Sequence, residues 1–204
     1  MKSIIAVEEV SAQALGDVVD VFHDAFFDYP MMHFIIGAED PDYELKLPLL
    51  LDFFCRARFL RRDIVLAARK EGAMIGAASL VRPESVASEE LEIYRQRLWG
   101  KLGEEARSRY ESFGEATDPL SVVESHYHLS LLGVRKSEAG KGVGRVLLDA
   151  VHLCSQSDPR SSGVSLTTET PENVALYEHV GYQAQGRVKL DWVTSWTLFR
   201  PDDV

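Results

Sequence analysis

Apolar positions in this chain recur at two spacings, and the change from one to the other marks its elements. Over residues 11–27, Leu15, Val18, Val19, Phe22 and Phe26 fall on one stripe of a helix. Residues 4–7 before it read as an opening strand. Tyr29, Pro30, Met31, Met32, His33 and Phe34 then break the helix and are apolar for a loop, which core packing explains. A second helix is predicted over about 43–61. Residues 63–69 and 74–81 flank Lys70, Glu71 and Gly72, the pattern of a hairpin.

Between 83 and 122 the chain turns polar and charged. One helix is predicted over about 89–113, with Leu91, Tyr94, Leu98 and Leu102 as its apolar face. A strand follows, in which alternation puts Glu124, His126, His128, Ser130, Leu132 and Val134 on one face. A Glu, two His and a Ser in line are unusual for packing alone, although each His taken singly is more simply a satisfied, partly buried imidazole. Neighbours two apart on a strand rarely complete a coordination set, so no metal is expected there.

That strand runs through Leu132, Gly133 and Val134 into a polar segment. Gly140, Gly142 and Gly144 follow at every second position, and an amphipathic helix is predicted over about 144–155. Glycines there let backbone N–H groups converge, and the helix start adds the positive end of its dipole, which together make a phosphate grip. A P-loop needs Gly-x-x-x-x-Gly-Lys-Ser/Thr, and no such run exists. The dinucleotide fingerprint Gly-x-Gly-x-x-Gly fits badly, because Arg145 stands after Gly144. Glu169, suitably placed to reach a ribose, is the one feature that suits it. A tight strand ending without any ligand is the remaining reading of the glycines.

The downstream sequence decides among these. After a loop over 156–163 and an apolar strand over 164–168 comes Glu169-Thr170-Pro171-Glu172-Asn173-Val174-Ala175-Leu176-Tyr177-Glu178-His179-Val180-Gly181-Tyr182. Thr170 suits an N-cap, Pro171 the first helical position and Gly181 the position past the end. Asn173 and Tyr177, four apart, project from one helical face. With the glycine loop, this order and spacing resembles the GNAT superfamily of acyl-CoA N-acyltransferases, most strongly over residues 126–190. Members carry Val-x-x-x-x-Arg/Gln-Gly-x-Gly-x-Gly/Ala, helix, strand, then Asn-x-x-x-Tyr-x-x-x-Gly-Phe/Tyr. Ala139 departs from that pattern, standing where Arg or Gln usually helps to cradle the pyrophosphate.

The resemblance implies an α/β fold of one domain, with a mixed central sheet of about seven strands flanked by helices and splayed between the fourth and fifth. The segment over about 83–122 is then a helical insertion that packs on the sheet, covers the acceptor site or contributes to a homodimer. The link after the first helix borders the acceptor pocket. Acetyl-CoA is the implied cosubstrate, with its pantetheine arm between the splayed strands. Backbone groups around Leu132, Gly133 and Val134 would pair with that arm, and one N–H there would stabilise the oxyanion. The region of Ala139, Gly140, Lys141, Gly142, Val143, Gly144 and Arg145 would take the pyrophosphate, with the affinity forgone at Ala139 either lost or supplied by Lys141 and Arg145. Asn173 would contact the cofactor. Tyr177 is the expected general acid for the departing thiolate, its ordinary pKa of about 10 being near that of a thiol. Glu124, His126 and His128 are the candidate bases, since an alkylamine at neutral pH needs help to lose its proton.

Composition changes this picture little. The 204 residues suit one domain. A net charge of −10 disfavours nucleic acid and mildly favours cationic acceptors. The N-terminal residues turn acidic too soon for a signal peptide, and no apolar run approaches a membrane span. Cys55 and Cys154 need no disulfide, in keeping with a cytoplasmic protein. The expected activity is acetyl transfer from acetyl-CoA to a primary amine of a small or peptidic acceptor. The alternative is a non-catalytic acyl-CoA-binding regulatory module, for which Ala139 is the hint.

Overall fold

The computed structural model describes residues 4–86 and 88–202. Met1, Lys2 and Ser3, on which part of the signal-peptide reading rests, lie outside the described residues. Among the described residues, seven strands form one sheet in the order β1-β2-β3-β4-β5-β7-β6. They are β1 (Ala6–Glu9), β2 (Ile64–Lys70), β3 (Ala73–Val81), β4 (Tyr127–Val134), β5 (Gly163–Thr168), β6 (Gln183–Leu190) and β7 (Val193–Pro201). Neighbours run antiparallel except β4 and β5, which are parallel. The mixed sheet is the one expected.

Helices cover both faces, which is why β2 and β3 are apolar at successive positions and not alternately. On one side lie α1 (Leu15–Phe26), α2 (Pro30–Ile36), α3 (Tyr43–Leu60), α4 (Glu89–Leu102) and α5 (Glu104–Thr117). On the other lie α6 (Val143–Gln156) and α7 (Pro171–His179). The hairpin turn between β2 and β3 has Glu71 at φ 52° and Gly72 at φ 83°, the left-handed pair that a tight two-residue turn requires.

Three elements differ from the sequence reading, each for a local physical reason. The apolar loop after α1 is the helix α2, started by Pro30 at its first turn, with Met32, Ile35 and Ile36 buried. The single helix expected over 89–113 is two, because Gly103 at φ 95° ends α4 and gives its N–H to Trp99 O at 2.9 Å. β4 begins at Tyr127, so Glu124 and His126 precede the strand and do not ride on it.

A β-bulge corrects the predicted face. Leu131 pairs with Ser79 and Leu129 with Leu80, which leaves Ser130 as an extra residue in β4. Beyond it the alternation inverts. His128 and Leu131 face the α1–α5 side, whereas Leu132 and Val134 pack toward α6. The row from His128 to Val134 is therefore not one face.

Gly133 sits where α1 presses on β4. A Cβ there would lie 2.8 Å from Ala25 Cβ and 2.9 Å from Phe22 Cδ1. Gly133→Ala is expected to cost about 1–3 kcal/mol through overpacking. A lower urea midpoint at unchanged slope is the expected measurement; an unchanged midpoint would show that α1 yields without cost.

Candidate active site

The parallel ladder joins Tyr127 to Val164, His128 to Ser165 and Leu129 to Leu166, and goes no further. Beyond it β4 continues against β3 and β5 against β7, so a gap opens between them. Arg135 N–H donates to Ile75 O at 2.9 Å, which fixes the side that each β4 backbone group faces. By alternation Gly133 faces β3, while Leu132 and Val134 turn N–H and C=O into the gap. Of the three backbone positions expected to meet a pantetheine arm, two point the right way. Gly133 does not: its groups belong to the β3 ladder and its missing side chain to α1 packing.

The glycine loop lies where β4 hands over to α6. Gly140 at φ 73° and Gly142 at φ 85° hold the left-handed conformations that a side chain would resist. A Cβ at either would meet nothing within 4 Å, so the loop is open on that side. The helix ladder starts with Val146 N–H on Gly142 O. The N–H groups of Val143, Gly144 and Arg145 have no acceptor among the described residues, and no side chain caps the helix. Free donors at a helix start fit a pyrophosphate by backbone alone. Lys141 Nζ turns back to Ser137 O at 2.8 Å and Glu138 Oε1 at 3.2 Å, and Arg145 Nε reaches Asp149 Oδ1 at 2.9 Å. Exposed pairs of this kind are worth about 0–1 kcal/mol, so both cations can be drawn to another anion.

At the inner end the gap narrows to about 50 Å³, lined by Tyr29, Leu132, Thr168, Glu169, Asn173 and Tyr177. Asn173 Nδ2 donates to Thr168 Oγ1 at 3.2 Å. The Tyr177 ring stands edge-on to Tyr182, 5.4 Å between centroids, and its hydroxyl has no partner among the described residues. Burial, then the charge of Glu169, pushes the Tyr177 hydroxyl up to about 12. Glu169 is 7% exposed, and burial lifts its carboxyl to about 7 against the opposing hydrogen bonds from Ser195 and Tyr29. Ser195 Oγ donates to Glu169 Oε1 at 2.8 Å. Tyr29 Oη accepts from Glu169 N–H at 3.0 Å and lies 3.0 Å from Thr168 Oγ1.

Glu169 and Tyr29 line this gap, and the sequence reading did not select either as a site residue. Glu169 entered it as a ribose contact in a rival fold, and Tyr29 as part of a link read either as packing or as bordering the acceptor pocket. Their signal was position: Glu169 falls between the end of β5 and the Thr170-Pro171 helix start, beside Asn173 and Tyr177.

On the α5 side a larger cleft of about 530 Å³ adjoins the gap. His126 and His128 line it, and Glu124 does not. Glu124 is exposed, and its backbone carbonyl meets His126 Nδ1. His128 Nδ1 lies 2.9 Å from Ser165 Oγ, and burial, reinforced by His126 and Arg58, lowers its pKa to about 4. The imidazole is therefore neutral near pH 7. Among the described residues no group of three His, Cys, Asp or Glu side chains could hold a metal ion. None of their helices is long and apolar enough to cross a membrane.

Residues 104–194 match the family model of the acetyltransferase (GNAT) domain. A structure from Corynebacterium glutamicum, described as histone acetyltransferase HPA2 and related acetyltransferase, aligns at 21% identity with TM-score 0.71. That alignment covers 97% of this chain and 96% of that one. The yncA protein of Salmonella typhimurium, solved with its cofactor acetyl-CoA, aligns at 14% identity and TM-score 0.56, covering 98% and 94%. The PaiA N-acetyltransferase of Thermoplasma acidophilum, in complex with coenzyme A, aligns at 12% identity and TM-score 0.57, covering 97% and 99%. A comparison with curated proteins finds no match. The chain resembles the GNAT superfamily, and its α/β fold is that of GNAT acetyltransferases. These likenesses support acyl transfer in general.

The buried carboxyl makes stability depend on pH. Its folded value of about 7 lies above the ordinary 4.5, so the folded state holds the proton more tightly. The corresponding stability is present below about pH 4.5 and is lost as pH rises through 7, on the order of 3 kcal/mol. Glu169→Gln is therefore expected to be more stable than wild type at pH 8, with the difference shrinking toward pH 4.5. Chemical denaturation at both pH values measures it; a pH-independent difference would contradict a raised carboxyl.

Proposed function

We propose that this protein transfers an acetyl group from acetyl-CoA to a primary amine in a ternary complex. The observation that carries the reading is the gap between β4 and β5, which leads from the free N–H groups of α6 to Glu169 and Tyr177. The N–H groups of Val143, Gly144 and Arg145 take the pyrophosphate, with the glycines at 140 and 142 giving it room. Leu132 and Val134 pair with the pantetheine arm, and a backbone N–H beside them stabilises the oxyanion. The narrow inner end, about 50 Å³, suits an acetyl group rather than a long acyl chain.

Glu169, placed beside the gap with a pKa near 7, accepts the amine proton, directly or through a water. It replaces Glu124, whose exposed position leaves it outside the gap, and His128, whose pKa of about 4 makes it a weak base. The amine nitrogen bonds to the acyl carbon, the carbon–sulfur bond breaks, and Tyr177 gives its proton to the thiolate. The two groups act on each other. The Glu169 charge raises the Tyr177 pKa, so protonating Glu169 makes Tyr177 the stronger acid at the step that needs one. A cytoplasmic setting belongs to the same proposal, supported by Cys55 and Cys154, both free thiols.

Calorimetry with acetyl-CoA and thiol release against an amine panel test the reading. Glu169→Gln and Tyr177→Phe are each expected to lower kcat by about 10²–10⁴ while acetyl-CoA affinity changes little. The wild-type rate should rise through about pH 7 as Glu169 ionises, and that limb should vanish in Glu169→Gln. Wild-type protein that binds acetyl-CoA and releases no thiol with any amine would favour the binding module to which Ala139 points.

A further inference from the structure

The 530 Å³ cleft beyond the gap has two unlike walls. Its sheet wall carries His128 and Ser130 from β4, Thr167 from β5 and Thr197 from β7. The hydroxyls of Ser130, Thr167 and Thr197 have no hydrogen-bond partner among the described residues. Thr167 and Thr197 stand opposite each other in the β5–β7 ladder, so two free hydroxyls are adjacent. The facing wall comes from helices and is aromatic: Phe54 of α3 with Tyr110 and Phe113 of α5. The Phe54 and Tyr110 rings lie 6.1 Å apart at 30°, presenting a broad apolar surface. Met31, Ser130, Leu131 and Thr167 line both this cleft and the inner gap, so the two spaces adjoin.

Electrostatics narrow the occupant further. Arg58 on the cleft wall is held by Asp63, with Nη1 to Oδ2 at 3.3 Å. Asp118 lies exposed at the rim, its carboxylate without a partner among the described residues, and the chain carries a charge of −10. A cation is therefore drawn to the rim, while the interior, apart from the paired Arg58, offers neutral hydrogen-bonding groups and ring faces. Glu111, also on the lining, is exposed and bonded by Arg107 Nε at 2.9 Å. Among the described lining residues a polyamine or an amino sugar would meet acids only at the exposed Glu111 and Asp118 and would leave the aromatic surface unused. A flat ring with polar substituents matches both walls, because it stacks on one and hydrogen-bonds to the other.

We propose that the acceptor is a small aromatic primary amine. Its ring lies between the Phe54–Tyr110–Phe113 wall and the hydroxyls of Ser130, Thr167 and Thr197, and its amine extends past the shared Ser130–Leu131–Thr167 border toward Glu169. The assignment rests on the acetyl-transfer reading above. It gives the insertion between β3 and β4 a task, since α5 supplies Tyr110 and Phe113 and thereby selects the substrate.

Tyramine, 2-phenylethylamine, spermidine and an alanine-led hexapeptide, each with saturating acetyl-CoA, form the test. Tyramine is expected to exceed spermidine and the peptide in kcat/KM by about tenfold or more. Tyr110→Ala should raise the tyramine KM by a similar factor and leave the acetyl-CoA KM unchanged. Thr197→Val, nearly isosteric and in a strand, should weaken tyramine more than 2-phenylethylamine, and it carries the test if Tyr110→Ala does not fold. Preference for spermidine or the peptide overturns the proposal. So does turnover of none of the four by a protein that binds acetyl-CoA. Equal losses for both ring amines in Thr197→Val, or a tyramine KM unmoved by Tyr110→Ala, would also overturn it. Failure of wild-type protein to bind acetyl-CoA would instead overturn the acetyl-transfer reading itself.

Discussion

Three residue pairs hold β4 and β5 together, and the proposed site depends on their separation after the third. The bulge at Ser130 follows the last pair, Leu129 with Leu166, and a bulge bends and twists the strand that carries it. β5 meanwhile stays committed to β7 along its whole length. The sheet cannot close, so the backbone of Leu132 and Val134 keeps unpaired groups on its open side. Unpaired strand edges are costly inside a protein, and a ligand that supplies the missing partners satisfies them. The glycine loop lies at one end of that opening and the buried carboxyl of Glu169 at the other.

Burial is the second determinant. Glu169 is 7% exposed and among the described residues has no cation beside it, so desolvation acts on it with only Ser195 and Tyr29 in opposition. A carboxyl held near neutrality costs the fold stability at higher pH. Such a cost is common where a protein keeps a group poised for proton transfer. Its closeness to Tyr177 makes the acid and the base of the proposed reaction parts of one electrostatic unit.

What the sequence disclosed followed the range of each interaction. The glycine loop, the hairpin at Glu71 and Gly72, and the helix opened by Thr170 and Pro171 depend on neighbouring residues, and all were legible. Gly103 also acts locally, yet the apolar row through Leu102 concealed its break. The face of β4 depends on its register with β3, set fifty residues away in the chain, and one extra residue at Ser130 reversed it beyond His128. Tyr29 and Ser195 meet Glu169 only through tertiary packing, from the start of α2 and from β7. No local pattern could assemble those three. Their distances also explain why a strand-face argument favoured Glu124, which the fold leaves exposed.

The central claim is that backbone donors along an interrupted ladder hold the cofactor. Amide hydrogen exchange, resolved by residue with and without acetyl-CoA, addresses it directly. Exchange should slow at Leu132, Val134, Val143, Gly144 and Arg145, whereas Gly133, already bonded toward β3, should change little. Uniform protection across β4, or none at the start of α6, would contradict the account.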